Sequence, residues 1–331
     1  MAWFEARGCA LKTERGNRVF PQSDKSASVI DALRAELRRL GVRVLQERAL
    51  DIVTQDGAVC GIETDGGFHK TERVILATGG CSYPQTGSTG DGYRMLEKLG
   101  HTIVPPVGSL VPLVEKGYDC KQMQGLALKN VQLTAVNEKK KTVFSEFGEM
   151  LFTHFGVSGP LVLSASAHLR DWDKHTYSLS IDLKPALSEE KLEERLLREL
   201  REQSNRNMEN VLLSLVPTSM VPVLCTRLHI DPELKANSFK KEQRRALLQE
   251  LKHFTLSVSG PRPVAEAIVT SGGVKVGEVN PGTMESKLIT GLYFAGEILD
   301  VDAYTGGFNL QIAWSTGRAA GLAAAEEEGE R

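Results

Sequence analysis

Two glycine-rich segments carry the residue types that could do chemistry. The first is Gly296-Glu297 followed by Gly306-Gly307, within the run GLYFAGEILDVDAYTGGFNLQIAWSTGRAAG. Gly296 lets backbone approach a ligand where a Cβ would clash, and Glu297 offers an acceptor carboxylate to a sugar or ribityl hydroxyl. Gly306 and Gly307 stand at the mouth of an Ala- and Leu-rich helix beginning near Asn309. Its unpaired N–H groups and positive dipole end would favour negative charge on a bound ligand. The second segment is Thr78-Gly79-Gly80 with Thr86-Gly87-Ser88-Thr89-Gly90-Asp91-Gly92. It places glycines at the carboxyl end of a strand, where open α/β sheets hold ligands. Structural alternatives stand beside these roles: a packing turn for the Gly-Gly pair and an N-cap for Asp91.

The elements that must position these residues are legible in the apolar pattern. Residues 292–295 and Val74-Ile75-Leu76 are short apolar runs that suit buried strands, and Asp91 opens a helix that Gly100 closes. Upstream, Ser26 is the expected N-cap of a helix whose face carries Val29, Ile30, Leu33, Leu37 and Leu40 before Gly41. Strand-like segments follow near 42–54, 58–64 and 68–78, with turns at Asp56-Gly57 and Asp65-Gly66-Gly67, so a β-meander should feed the Thr78-Gly79-Gly80 turn. After Pro105-Pro106 the character changes. Strand-like segments at 110–115, 126–137, 142–153 and 176–183 predict a small barrel or sandwich. Helical patterns occupy 188–203, 207–215, 219–228 and 239–252, separated by Pro217, Pro222 and Pro232. Strand character returns at Phe254.

The whole pattern resembles the two-dinucleotide-binding-domain flavoproteins, and the ATGG with TGDG pairing is similar to that of the fumarate reductase and succinate dehydrogenase flavoprotein group. GRVFPQSDKSASV, GHTIVPPVGSLVPL, FTHFGVSGP and VTSGGV look like a narrower branch, the bacterial FAD-binding proteins of the aminoacetone-oxidase-like family. The resemblance implies an α/β fold: a discontinuous Rossmann-like FAD-binding domain with an inserted domain, β-barrel-like and then helical. Its expected boundaries are 1–108 with 263–331 for the FAD domain, and 109–262 for the insert, β-rich over 109–185 and helical over 186–253. Carried over motif by motif, the flavin contacts would be Thr78, Gly79, Asp91, Gly296, Glu297, Gly307, Phe308, Asn309 and Leu310, with Ala49 as a backbone contact to adenine. The resemblance also implies FAD as cofactor, NAD(P)H as a possible electron donor and a small-molecule substrate. Such flavoproteins carry a G-x-G-x-x-G turn for the pyrophosphate. This sequence contains none, and reads as entering the family pattern downstream of that unit.

Composition bounds the class. At 331 residues with 41% hydrophobic and 25% charged residues, the chain can bury a sizeable core. A net charge of −2 gives no long-range attraction to nucleic acid or to an anionic membrane, so neither is an expected partner. The Lys139-Lys140-Lys141 run reads as a solvated turn, and the acidic stretch from Glu326 to Arg331 as a frayed end. No apolar run approaches a membrane span and no signal-type segment is visible. Five scattered cysteines without C-x-x-C suggest reduced thiols in a cytoplasm and no metal site. Cys81, beside Gly80, reads as a redox thiol or a small turn residue, and His154, Tyr304 and Asn309 as neighbours of the site. No residue is assigned a catalytic role.

The expected function is an FAD-dependent oxidoreductase transferring hydride between flavin and a small organic substrate or NAD(P)H. The alternative, from a different class, is a non-catalytic remnant or interaction module on a flavoprotein scaffold.

Overall fold

The computed structural model describes residues 1–14 and 16–326, so most of the acidic C-terminal stretch lies outside the described residues. The chain divides into two compact units, one comprising Met1–Gly80, Ser88–Pro106 and Gly272–Arg331, the other Cys81–Gly87 and Val107–Ser271.

In the first unit, α1 (Ala2–Glu5), the hairpin β1 (Leu11–Glu14) and β2 (Arg18–Pro21), and α2 (Ser26–Arg39) precede a three-stranded antiparallel meander of β3 (Ala49–Gln55), β4 (Ala58–Thr64) and β5 (Gly67–Lys70). Asp56 and Gly57, both at positive φ (51° and 80°), turn β3 into β4, as a two-residue hairpin loop requires. The strand expected from residue 42 begins only at Ala49; Val42, Val44 and Leu45 are exposed, and without a covering surface an apolar run gains nothing from extending. The predicted Ser26 cap is also corrected. Lys25 occupies the cap position, and Ser26 is the first helical residue with no capping bond. The periodic face of α2 is largely exposed too, at Ile30, Leu37 and Leu40, so its 3.6-residue pattern marked a helix without marking a core.

The meander leads into β6 (Val74–Leu76), followed by α3 (Asp91–Lys98) and β7 (Ile103–Ser109), within which the chain leaves this unit; it returns within β14 (Val269–Val274) and ends in β15 (Leu292–Phe294) and α10 (Phe308–Ala325). Strands β6 and β15 pair in parallel, Val74 with Leu292, Ile75 with Tyr293 and Leu76 with Phe294. Helix α10 packs its small residues Ala320 and Ala323 on Tyr293. Arg73 ties down its far end, donating from Nη1 to the Ala324 carbonyl at 2.9 Å, a cation placed at the negative end of the helix dipole.

The second unit is built on a closed barrel. Strands β8 (Leu113–Glu115), β9 (Ala127–Asn137), β10 (Thr142–Thr153), β11 (Gly156–Ser158), β12 (Tyr177–Asp182) and β13 (Phe254–Pro261) close in the order β10-β11-β8-β13-β12-β9. Alternation of buried and less buried residues along β12 and the first six residues of β13 is what a filled small barrel demands. Short helices α4 (Asp119–Gln122) and α5 (Pro160–Ser166) are followed by α6 (Glu189–Glu202), α7 (Met208–Leu213), α8 (Val221–Leu228) and α9 (Lys241–Lys252). Leu192, Leu196 and Leu200 on α6, and Leu247, Leu248 and Leu251 on α9, are buried in the same core as the barrel. The β-then-α order is therefore incomplete, because β13 returns after the helices to close the barrel. Pro222 does not separate helices but sits in the first turn of α8, where its missing N–H costs nothing.

Candidate functional site

The parallel pairing of β6 and β15 sets the site. The Ala295 N–H donates to the Leu76 carbonyl at 3.1 Å, so the two chains leave their strands side by side. Each then turns through a glycine in the left-handed region, Gly79 at φ 73° and Gly296 at φ 75°, a conformation that costs a side-chain-bearing residue. A Cβ on Gly79 would fall 2.8 Å from Ser88 Oγ. The Gly296 N–H donates to Thr316 Oγ1 at 2.9 Å, locking this turn to α10.

Gly79, Gly296 and Glu297 line one cavity of about 770 Å³, within the usual range for a cofactor or small-molecule site, roughly 300–1,000 Å³. Helix α10 supplies another wall through Gln311, Ala313, Trp314, Gly317 and Arg318. Trp3 and Phe4 of α1 complete an aromatic side, Phe4 standing edge-on to Trp314 with ring centroids 5.3 Å apart. Arg7 holds α1 in place by covering the Trp3 ring at 3.9 Å and donating to Glu36 at 2.7 Å. Hydrogen bonds from Arg39 and then Arg7 hold the Glu36 carboxyl down to about 2. Arg318 pairs with no carboxylate among the described residues, which leaves a cation on the cavity wall.

The structure brings only some of the expected residues to this cavity. Thr78 lies between Ala77 and Gly79 of the lining, and its buried Oγ1 has no hydrogen-bond partner in the described structure. Gly92 makes room for that hydroxyl: a Cβ there would collide with Thr78 Oγ1. Asp91 is not among the lining residues. Gly90, not Asp91, is the N-cap of α3, and the Asp91 carboxylate pairs with Arg48 at 2.6 Å and with Arg94. Ala49 is the first residue of β3, paired with Thr64. Gly307 (φ 94°) caps α10, and Phe308 and Leu310 are exposed beside it. Asn309 clamps the preceding loop. Its Oδ1 accepts from the Ala303 N–H at 2.9 Å, and its Nδ2 donates to the carbonyls of Ala303 at 2.7 Å and Tyr304 at 3.5 Å. None of these four lines the cavity, whose α10 wall begins one residue later at Gln311.

His154 and Cys81 belong to the second unit. His154 is exposed in the β10–β11 turn, edge-on to Phe155, and the Cys81 N–H donates to Thr270 Oγ1 at 2.7 Å. The lining residues missed in the sequence carried a usable signal: Gln311, Trp314 and Arg318 recur at i, i+3 and i+7, one stripe of a helix otherwise rich in small residues.

A model of the HI0933-like protein Rossmann domain matches residues 1–323. The chain belongs to the HI0933-like Rossmann-domain family. This family membership, with the parallel strand pair and its glycine turns, makes the fold a mixed α/β Rossmann-type FAD-binding fold accompanied by a small closed β-barrel and helices. Among similar proteins is the 3-dehydro-bile acid delta(4,6)-reductase of Clostridium scindens, 31% identical over 328 residues, which are 98% of this chain and 80% of that protein. The ribosomal RNA dihydrouridine synthase of Haemophilus influenzae is 31% identical over 300 residues, 89% of this chain and 71% of that protein. Among solved structures, Aquifex aeolicus GidA aligns with a TM-score of 0.38 and 13% identity, over 95% of this chain and 53% of that one. The HI0933-like chain thus spans about half the length of that solved chain. Taken together, the family and the 31% identical reductase make this a flavoprotein oxidoreductase at the family level. No helix of its described residues is long and apolar enough to cross a membrane.

Proposed function

We propose that the chain binds FAD at the Gly79–Gly296 edge and passes hydride between the flavin and a small organic substrate or NAD(P)H. The observation that carries this reading is the convergence of two left-handed glycine turns and Glu297 on one cavity. When bound, FAD supplies the hydride-accepting and hydride-donating centre, while the chain supplies position and electrostatics. Gly79 and Gly296 let backbone reach the cofactor, Glu297 accepts from a hydroxyl, the Thr78 hydroxyl gains the partner it lacks, and Arg318 offers positive charge to a phosphate. The first turn of α10, with Gly307, Phe308, Asn309 and Leu310, lends its positive dipole end to a reduced ring.

The relatives' names favour the reductive direction, since both describe saturation of a ring carbon–carbon double bond. Such reduction is therefore the first chemistry to assay, with NAD(P)H as donor; the aminoacetone-oxidase-like resemblance adds amine oxidation as the second. A small molecule is the expected substrate, because a net charge of −2 does little to gather polyanionic RNA. Five scattered cysteines without a C-x-x-C pair suit a reducing cytoplasm.

Purification of the full chain followed by addition of FAD is the test. Yellow protein that consumes NAD(P)H with an unsaturated acceptor supports the reading. Protein that neither retains nor takes up FAD overturns it in favour of a non-catalytic scaffold.

A further inference from the structure

The second unit contains a cavity of its own, about 320 Å³, lined by Leu128, Lys129 and Val131 of β9, by Leu183 and Lys184 beyond β12, and by residues 215–217 and Met220. It adjoins a bulge. Between Gly148 and Met150 of β10 the β9 register slips by one residue, leaving Lys129 and Asn130 opposite Glu149, with Asn130 at φ 58°. Bulges of this kind re-aim side chains, and Lys129 thereby joins the lining.

Lys184 is the feature that packing does not explain. Its backbone is held on both sides: its N–H donates to Asp182 Oδ1 at 2.8 Å, and its carbonyl accepts from Lys252 Nζ at 3.3 Å and from the Leu187 N–H at 3.0 Å. Asp182, the adjacent carboxylate, is committed to Lys252 at 2.6 Å. No hydrogen bond or ion pair engages the Lys184 ammonium among the described residues. The nearby charge that acts on it is Arg195, of the same sign; burial first, and then Arg195, push the Lys184 ammonium down from its ordinary value. Arg195 has only a long contact to Glu199, 3.8 Å, and donates to the Ser214 carbonyl at 3.4 Å. A half-buried cation without a counter-ion among the described residues, with Arg195 as the like charge acting on it, opens on a cavity of mixed lining that also holds Leu128, Val131, Val216 and Met220, and has room for one negative charge.

We propose that this cavity binds an amphipathic monocarboxylate, its hydrocarbon chain lodged among Leu128, Val131, Val216 and Met220 and its carboxylate paired with Lys184. The volume lies at the lower end of small-molecule sites, roughly 300–1,000 Å³. A single acyl chain suits it better than a nucleotide. Lys129 at the bulge adds charge at the rim, and Arg195 strengthens the pull on the anion through the field it shares with Lys184.

Octanoate is the probe, with 1-octanol as the neutral control, titrated into the full-length protein by calorimetry. Saturable octanoate binding is expected, weakened at least about tenfold in Lys184→Met, retained in Lys184→Arg, and at least about tenfold tighter than that of 1-octanol. Labelling of the unaltered protein with acetic anhydride, read by mass spectrometry, reports the site without a variant: octanoate should protect Lys184. Equal affinity of unaltered protein and Lys184→Met, equal binding of the alcohol, no saturable binding, or no protection of Lys184 would each overturn the assignment. Octanoate held in the larger cavity of the first unit would survive Lys184→Met and so counts against it.

Discussion

Leu76 and Phe294 face each other in parallel register, and the amide following Phe294 donates to the Leu76 carbonyl at 3.1 Å. This single rung brings to one edge segments more than two hundred residues apart in the chain. Phe294 is fully buried and stands edge-on to His101 at 5.2 Å. Phe294→Ala is expected to cost about 3–5 kcal/mol through the cavity it leaves. Chemical denaturation followed by circular dichroism checks this; a loss below about 1 kcal/mol would show that the rung does not depend on that ring.

Gly307 tests the entrance of α10. Nothing lies within 4 Å of a Cβ placed there, yet its φ is 94°, so strain rather than collision is the cost of a side chain. Gly307→Val should destabilise the helix start by about 1–3 kcal/mol, whereas Gly317→Ala, in the same helix, should be neutral or slightly stabilising. Thermal melts of the two variants check the contrast.

Asn309 is a loop clamp by its hydrogen bonds, whatever else it does. Asn309→Ala removes bonds to Ala303 and Tyr304 and should cost about 1–2 kcal/mol. Amide exchange should rise at Ala303 more than at Gly296, which is held independently by Thr316. Equal exchange at both would contradict the clamp.

His101 should make the first unit acid-sensitive. Its side chain is buried, with Nε2 3.0 Å from Ser286 Oγ and Nδ1 3.3 Å from a Glu278 oxygen. Burial pushes the imidazole below its ordinary 6.5 despite Glu278. The unfolded chain therefore takes up a proton at a pH where the folded chain does not. Stability falls as pH drops from the unfolded value towards the lowered folded one, and no further from this group below it. Glu278, held down chiefly by the Thr102 side chain and then by the Thr102 N–H, adds its own loss as pH falls below the ordinary carboxylate value. Urea denaturation at neutral pH and near pH 5 should show this decline, and His101→Gln should flatten it. An unchanged slope in that variant would place the titration elsewhere.

Much of this was legible beforehand because the signals were local. Alternation along 126–137 and 142–153 predicted strands of a small barrel or sandwich, Asp56-Gly57 predicted a turn, and the glycines at 79 and 296 marked strand ends. What was not legible depended on partners far away in sequence. Asp91 looked like a cap or ligand residue, and only the fold shows that Gly90 is the cap and that Arg48 and Arg94 stand beside its carboxylate. The apolar periodicity of α2 said nothing about whether a surface would cover Ile30 and Leu37. Trp314 and Arg318 are not singled out by the sequence: their helical spacing marks a stripe, but only the fold shows that this stripe of α10 lines the same cavity as Gly296.

The central claim, that the Gly79–Gly296 edge holds FAD, is tested most directly by titrating the full chain with FAD and following the quenching of flavin fluorescence. Saturable one-to-one binding is predicted, weakened by at least about tenfold in Glu297→Ala, a loss of about 1.4 kcal/mol, and more severely in Gly296→Val, whose side chain cannot adopt φ 75° without strain. Absence of saturable binding, or the same affinity in both folded variants as in the unaltered protein, would contradict it.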